Sequence, residues 1–450
     1  MRVLLIAYDY PPTQSPRALR WRYLTRELAL QGHEVHVLVP DLGEPGIEFP
    51  QAPGRVVIHR SFPGPFGWLV DAANRRRASR RDGGAGAAAA PGAAPGAARL
   101  NWRGRMVDLA KRFAGLFLFP DVRAEWAPWA RRALRRLLVQ ARPDVVVTSH
   151  EPASTLPLGM YAQRFGFAWV ADLGDPVCAA YTPRRWRRRA LALEARVSAL
   201  ADCVLVTNEA TRELLVERHG QDPDRCAVLP NGYDDRRVHD SEAADSVSFD
   251  DECLELIYAG RLYGYRDPAP LLRAVAESPG VRLTLIVPDP PPTDDAAVMA
   301  AAAGERLRIL GLLPHAQVQW MLEQADVLVN FGDRGQPVRT PAKLFEYFGV
   351  SRPILHVHSD GADAAAGLLQ RHRRGWLCID DADALAGLLG DIRKLKQEGA
   401  LHQGLELAPL ADYAHSSLGR RLEGVLEKTV GTGNEAGRRS TARARPGMAG

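Results

Sequence analysis

Short apolar runs alternate along this chain with stretches in which apolar residues recur every three or four positions. Residues 3–8 form the first run, and Asp9, Pro11 and Pro12 close it. It falls well short of the ~18 apolar residues of a membrane span. No small-residue cleavage site follows, so it reads as a buried strand and not as a signal peptide. Ser15 then offers an N-cap with Pro16 in the first helical position. Leu19, Tyr23, Leu24 and Leu28 recur at helical spacing, and Gly32 stands just past the helix end. Residues 34–39 are the next strand. This strand–helix–strand opening predicts an α/β chain with a parallel sheet and helices on both faces.

The pattern continues with short buried strands at 145–148, 168–171, 204–206 and 227–229, separated by helices near 153–164, 186–200 and 209–218. Residues 236–252 are polar, acidic and without periodicity, which marks a linker. Strands then restart at 254–258, 283–287, around Ile309, at 327–329 and at 354–357. The organisation expected is a first domain at 1–235, a linker at 236–252 and a second domain at 253–410. A helix at 411–430 is expected to cross back to the first domain, followed by a disordered tail at 431–450. Residues 82–98 are almost entirely Gly, Ala and Pro, a composition that cannot bury a core and predicts a flexible insert. Two doubly wound units in succession place a ligand in a central cleft between them, beyond the C-terminal ends of the strands.

Composition narrows the class. A hydrophobic fraction of 46% and a charged fraction of 25% are those of a soluble globular protein. The five cysteines are scattered and have no metal-ligand spacing, which predicts a reducing cytoplasm and no disulfide framework. The net charge of +5 is unevenly spread. Arginines cluster at 75, 76, 77, 80 and 81 and again at 184, 185, 187, 188 and 189, and residues 101–119 form a basic amphipathic helix. Two readings stay open for these features: ordinary solvated and sheet-packed faces, or peripheral contact with anionic lipid at the inner face of the cell membrane. No recognition motif or aromatic platform accompanies the arginines, so nucleic acid is not expected as a partner.

Four segments carry candidate chemistry. Leu229-Pro230-Asn231-Gly232-Tyr233-Asp234 follows a strand. Tyr258-Ala259-Gly260-Arg261-Leu262 ends another, with Arg266 five residues after Arg261. The stretch from Arg339 to Phe348 contains Pro341-Ala342-Lys343 and Glu346-Tyr347, and Arg352-Pro353-Ile354-Leu355 follows it. A helix that begins near Pro341 leaves backbone N–H groups open to an anion. Lys343 in its first turn opposes the helix dipole, which a bound phosphate would justify. Glu346 lies three residues on, on the same face.

These segments resemble the signatures of the family 4 glycosyltransferases of the GT-B fold, over about residues 1–430 and most closely over 226–357. The resemblance implies two Rossmann-like domains and metal-independent retaining transfer from a nucleotide-diphosphate sugar, UDP- or GDP-linked. It implies that Arg261, Arg266 and Lys343 hold the donor diphosphate, with Arg266 standing where lysine is usual, and that Glu346 accepts the ribose hydroxyls. Guanidinium groups suit that task because they meet phosphate oxygens bidentately. Asn231 and Gly232 belong to a structural motif. His150, in the segment Thr148-Ser149-His150-Glu151-Pro152, is the implied catalytic histidine at a strand end.

The chain departs from the family pattern at three further places. The first of the family's paired glutamates is Val338 here, which leaves Asp333, Gly335 and Gln336 of the preceding loop to meet the donor sugar. Asp172-Leu173-Gly174-Asp175-Pro176 resembles a "D-x-R-D-P" segment with Gly174 in place of arginine. Asp172 is either an acceptor contact or a cap, and Asp175 is read as a helix cap. The loop after the first strand lacks the family's paired glycines. Walker A and Gly-x-Gly-x-x-Gly sequences are missing, and Asp381-Ala382-Asp383 reads as a helix cap. The acceptor is a glycan, a small molecule or a lipid-linked precursor, and no cofactor or metal is expected. Two other functions remain: a sugar-nucleotide epimerase of the same fold, and a non-catalytic sugar-nucleotide-binding scaffold.

Overall fold

A computed structural model describes residues 1–11, 13, 15–42, 54–65, 67–68, 119–179, 182–236, 248–289, 306–335, 338–359, 361 and 363–443. The glycine-rich insert, the arginines at 75–81 and all but the last residue of the basic amphipathic segment 101–119 lie outside them. The chain divides into two compact units. Unit 1 holds Met1–Val206, Arg212–Val228 and Gly419–Gly450; unit 2 holds Thr207–Thr211 and Leu229–Leu418.

Unit 1 is built on seven parallel strands: β1 (Arg2–Ile6), β2 (Glu34–Pro40), β3 (Arg55–Ser61), β4 (Val145–Ser149), β5 (Ala168–Leu173), β6 (Cys203–Val206) and β7 (Cys226–Val228). Their order is β3-β2-β1-β4-β5-β6-β7. Val3 therefore pairs with Val35 on one side and Val145 on the other. Residues 3–6 are fully buried, as expected of a central parallel strand covered on both faces. The helices are α1 (Pro16–Leu30), α2 (Ala127–Gln140), α3 (Leu156–Gln163), α4 (Arg184–Leu200) and α5 (Glu209–His219). Ser15 caps α1 as its sequence implies, its Oγ accepting from Ala18 N at 3.1 Å. The helix buries Trp21, Leu24 and Leu28 completely, each worth about 1.5–3 kcal/mol. Strand β3 was not expected: its apolar run is only Val56-Val57-Ile58, and Arg55, His59 and Arg60 flank it on a half-buried edge.

Unit 2 contains β8 (Leu254–Ala259), β9 (Val281–Ile286), β10 (Leu307–Leu310), β11 (Val327–Phe331), β12 (Ile354–His358) and β13 (Gly375–Ile379). They are parallel in the order β10-β9-β8-β11-β12-β13. Its helices are α6 (Ala269–Glu277), α7 (His315–Gln324), α8 (Ala342–Tyr347), α9 (Ala364–Arg371) and α10 (Ala382–Gln397); α11 (His415–Arg443) follows. Asp381 caps α10, as its sequence implies, accepting from Ala384 N at 2.9 Å. Strand β13 escapes the pattern because four residues rich in charge lead straight into it. Gly375 admits it: its φ of +147° is a glycine conformation, and a Cβ there would overlap the Ile354 backbone.

Two boundaries move. The units change at Leu229, not in the polar stretch 236–252. The reason is a backbone pairing: Tyr233 N donates to Tyr413 O at 3.0 Å and His415 N donates to Tyr233 O at 2.9 Å. A Cβ on Gly232 would overlap Tyr413 O, so the Asn231-Gly232 motif keeps its glycine for close approach. At the other end, helix α11 continues to Arg443, where a disordered tail from 431 was expected. From Gly419 onward its residues cluster with unit 1.

Arg374 holds α8 from inside unit 2. It is completely buried and donates to four carbonyls: Tyr347, Val350, Glu406 and Ala408, at 2.6–3.4 Å. Burial lowers its pKa to about 10. Arg374→Ala removes the donors and leaves those carbonyls in a dry site, so it should lower stability by about 2–4 kcal/mol. Urea unfolding followed by circular dichroism checks this, and an unchanged midpoint would contradict it.

Candidate functional site

In each sheet the strand order reverses once, between β1 and β4 in unit 1 and between β8 and β11 in unit 2. Open parallel sheets take ligands beyond the strand ends at that reversal. The residues singled out from the sequence gather at both places.

In unit 2, β8 ends at Ala259 and the chain turns at Gly260 with φ +134°. A Cβ there would lie 2.6 Å from Lys343 Nζ. Lys343 is the second residue of α8, and its amine sits 3.6 Å from the centre of the Tyr258 ring. Apart from this cation–π contact, the buried amine has no hydrogen-bond partner among the described residues. Burial carries its pKa well below the usual value of 10.5; Arg266 lowers it further, and Glu346 and Asp333 pull the other way. Burial likewise raises Tyr258 to about 12, and its hydroxyl donates to Arg261 O at 2.9 Å.

Arg266 is buried, its Nε on Asp333 and its guanidinium 5.3 Å from the Tyr263 ring. Arg339, which the sequence reading did not single out, reaches the same carboxylate at 3.4 Å and donates to the Tyr265 hydroxyl at 2.8 Å. Asp333 is therefore clamped between two guanidinium groups. The signal that could have found Arg339 is its position two residues before Pro341. Arg261 differs from its neighbours, since its side chain is 56% exposed and lies 3.7 Å from Asp289. Glu346 is half-buried on α8. Gly335 turns with φ +72°, and Gln336 lies outside the described residues. At Val338, where the family's first glutamate is missing, the backbone carbonyl accepts from Asn208 Nδ2 at 2.8 Å.

In unit 1, His150 follows β4 and is 4% exposed. Its backbone N–H donates to Asp172 O at 2.8 Å, and its Nδ1 has no partner among the described residues. Burial lowers its pKa to about 4 against the opposing charge of Glu151, so the imidazole is neutral at pH 7. Asp172 is fully buried at the end of β5 and accepts from Trp21 Nε1 at 3.0 Å and from Arg20 at 3.3 and 3.4 Å. Its oxygens anchor α1. Helix α4 starts after Pro183, so Asp175 does not cap it.

Residues 88–237 match the family described as Glycosyltransferase Family 4. The D-inositol 3-phosphate glycosyltransferase of Nocardia farcinica is 28% identical over 258 residues, 52% of this chain and 53% of that protein. The chain thus spans about half the length of that relative. Among solved structures, sucrose-phosphate synthase from Thermosynechococcus elongatus aligns with a TM-score of 0.61 at 16% identity, covering 98% of this chain and 100% of the other. Anabaena HepE, solved in complex with UDP and glucose, aligns at 0.57 and 12% identity, covering 95% and 99%. The chain has the GT-B fold, and over residues 88–237 it is similar to glycosyltransferase family 4. In unit 2, Lys343, Arg266, Asp333 and Glu346 form one charge cluster at the β8–β11 reversal. A cluster with two more guanidinium groups beside it, Arg261 and Arg339, is suited to receiving a polyanion.

Lys343 has a measurable consequence for stability. Between its lowered folded pKa and 10.5 the unfolded chain binds a proton that the folded chain does not, so this group makes stability rise with pH across that window. Lys343→Met should be more stable than the parent at pH 7, by about 1–4 kcal/mol, and the difference should shrink toward pH 10. Urea midpoints at the two pH values measure it. A less stable methionine variant at pH 7 would overturn this account of the buried amine.

Proposed function

We propose that this chain is a retaining glycosyltransferase that takes its sugar from a UDP- or GDP-linked donor. The observation that carries the reading is Lys343, a buried amine without a hydrogen-bond partner among the described residues, facing Gly260, where the side chain is missing. Such an amine is costly unless a ligand oxygen completes it. A leaving diphosphate accumulates negative charge, and Lys343 with Arg261 would neutralise it, while Arg266, fixed by Asp333, adds its charge from behind. Glu346 would accept the ribose hydroxyls. The neutral His150 of unit 1 would act as a hydrogen-bonding group, not as a cation. The UDP in HepE supports the choice of nucleotide, and the name of the Nocardia relative supports transfer to a small polyol. The match to a glycosyltransferase family favours transfer over epimerisation.

Three lysine and arginine charges can neutralise the leaving group, so transfer should survive EDTA. Loss of activity in chelator with recovery on adding Mg²⁺ or Mn²⁺ would overturn this part. Arg261→Ala and Lys343→Ala should each lower the rate of donor consumption about 100- to 1000-fold. Thermal shift against UDP- and GDP-sugars identifies the donor, since a ligand at about 100 times its Kd adds ~2.7 kcal/mol of stability. A chain that binds no nucleotide would sink the reading, and inversion at a sugar ring carbon without transfer would favour the epimerase.

The acceptor side includes a surface role. Arg184, Arg185, Arg187, Arg188 and Arg189 are all exposed in the first two turns of α4, where cations oppose the helix dipole. No helix among the described residues is long and apolar enough to cross a membrane. We propose peripheral binding of this face to anionic lipid, with each arginine contributing about 1 kcal/mol near the surface. Flotation with phosphatidylserine vesicles should show binding at low salt that weakens at high salt. No binding at either salt leaves these arginines a solvated face.

A further inference from the structure

Five of the 58 lysine and arginine residues of this chain are lysine, and arginine stands even at position 266, where lysine is usual in the family it resembles. Lys343 is one of the five. Lysine and arginine differ in a property that matters at a buried position: an ammonium can give up its proton there, and a guanidinium cannot. The surroundings of the Lys343 amine favour the neutral form. Its Nζ has no hydrogen-bond partner among the described residues and rests 3.6 Å from the centre of the Tyr258 ring. One aromatic face compensates only part of the hydration that an ammonium loses on burial.

The groups around this amine come from β8, its exit loop, the exit of β11 and α8. Tyr258 on β8 keeps its proton, since burial pushes its hydroxyl up to about 12, and burial raises Tyr347 on α8 as well. Arg266, after β8, is a like charge. Asp333, after β11, and Glu346, on α8, are the opposing carboxylates, but Asp333 is already shared by Arg266 and Arg339. Burial and Arg266 hold the Lys343 amine well below its ordinary value against the pull of Glu346 and Asp333. With the amine neutral, three guanidinium groups, Arg261, Arg266 and Arg339, stand against three carboxylates, Asp289, Asp333 and Glu346. A nucleotide-diphosphate sugar brings two negative charges into this balanced cluster. Phosphate oxygens at Nζ would supply the hydrogen bonds that the amine lacks, and their charge raises its affinity for a proton.

We propose that Lys343 is a neutral amine in the free chain and becomes an ammonium in the donor complex, so that a nucleotide-diphosphate sugar binds together with one proton from solvent. The identity of the ligand rests on the transferase reading. The step is a protonation only: the amine gains H⁺, and no bond of the ligand breaks. The sign of the pH dependence follows. Between the pKa of the amine in the free chain and its higher pKa in the complex, each unit of rising pH weakens binding about tenfold. Isothermal titration of the full chain with UDP-glucose and GDP-mannose, in buffers of different ionisation enthalpy, counts the protons. Both phosphates of these ligands are diesters and neither gain nor lose a proton near neutrality. For a ligand that binds, the count should approach one within about pH 6 to about pH 9. Lys343→Met should weaken binding about 10- to 100-fold and bring the count to zero. Lys343→Arg, charged at every pH, should also take up no proton and should flatten the pH dependence of Kd. A second readout needs no binding heat. In a chain labelled with ¹³Cε-lysine, the resonance that Lys343→Met removes should titrate below those of the other lysines. Its titration should move to higher pH with either nucleotide sugar or with sodium sulfate, at ionic strength matched with sodium chloride. An ordinary lysine titration of that resonance in the free chain would overturn the proposal. So would ligand binding with a proton count of zero across the range, or a count unchanged in Lys343→Met. If no nucleotide sugar binds but sulfate still moves the Lys343 titration, the transferase reading falls and proton-coupled anion binding at Lys343 stands. If neither moves it, both fall.

Discussion

A charge removed from water must be met inside the protein, and two buried carboxylates organise most of what is distinctive in this chain. Asp172 closes β5 with Arg20 and the Trp21 indole, which ties α1 to the sheet of unit 1. Asp333, after β11, draws Arg266 and Arg339 to the corresponding end of unit 2. Removing one partner of such a pair leaves an uncompensated buried charge, worth about 3–5 kcal/mol. The loops that carry candidate chemistry are therefore held by the same ion pairs that hold the helices.

Glycines set the complementary constraint. At Gly260 and Gly174 a side chain is missing where a cation from another element arrives, Lys343 in one case and Arg17 in the other. The two differ in what completes the cation. Arg17 meets Glu151 and Asp172 within its own unit. The Lys343 amine meets the face of Tyr258. A desolvated ammonium on an aromatic ring is only partly compensated, which makes it the place where an incoming anion has most to offer. The same contrast separates the two units: at its strand-order reversal unit 2 keeps a buried amine without a hydrogen-bond partner among the described residues, whereas unit 1 pairs Asp9, Glu151 and Asp172 there with arginines.

The departures from the family pattern become intelligible in these terms. Val338 contributes only a backbone carbonyl, bound by Asn208, and the charge nearest to it comes from Arg339, which turns to Asp333. Gly174 stands in for an arginine, and an arginine from α1 occupies its space. In both places the charge inventory is rearranged among neighbouring elements.

Much was legible from residues alone. Short apolar runs located the central strands, because a strand buried on both faces must be a continuous apolar run, spacing of three or four located the helices, and Ser15 and Asp381 announced theirs through cap chemistry. The motif residues Lys343, Glu346 and Arg266 could be assigned to one neighbourhood because each follows a strand or opens a helix on the same sheet. Edge elements such as β3 and β13 were not read, since their short apolar runs, Val56-Val57-Ile58 and residues 376–379, lie beside clustered basic residues. Nor was the extent of α11, whose sequence beyond residue 430 is polar. Asp333, Asp172 and Arg339 show the larger limit: a charged residue's role depends on which opposite charge it meets, and those partners lie 67 and 152 positions away in the chain for Asp333 and Asp172. The sequence by itself determined which elements form and which residue types stand at the strand ends. Only the tertiary structure decided which of those charges are already spent on each other, because burial and pairing act between side chains that the chain order keeps apart.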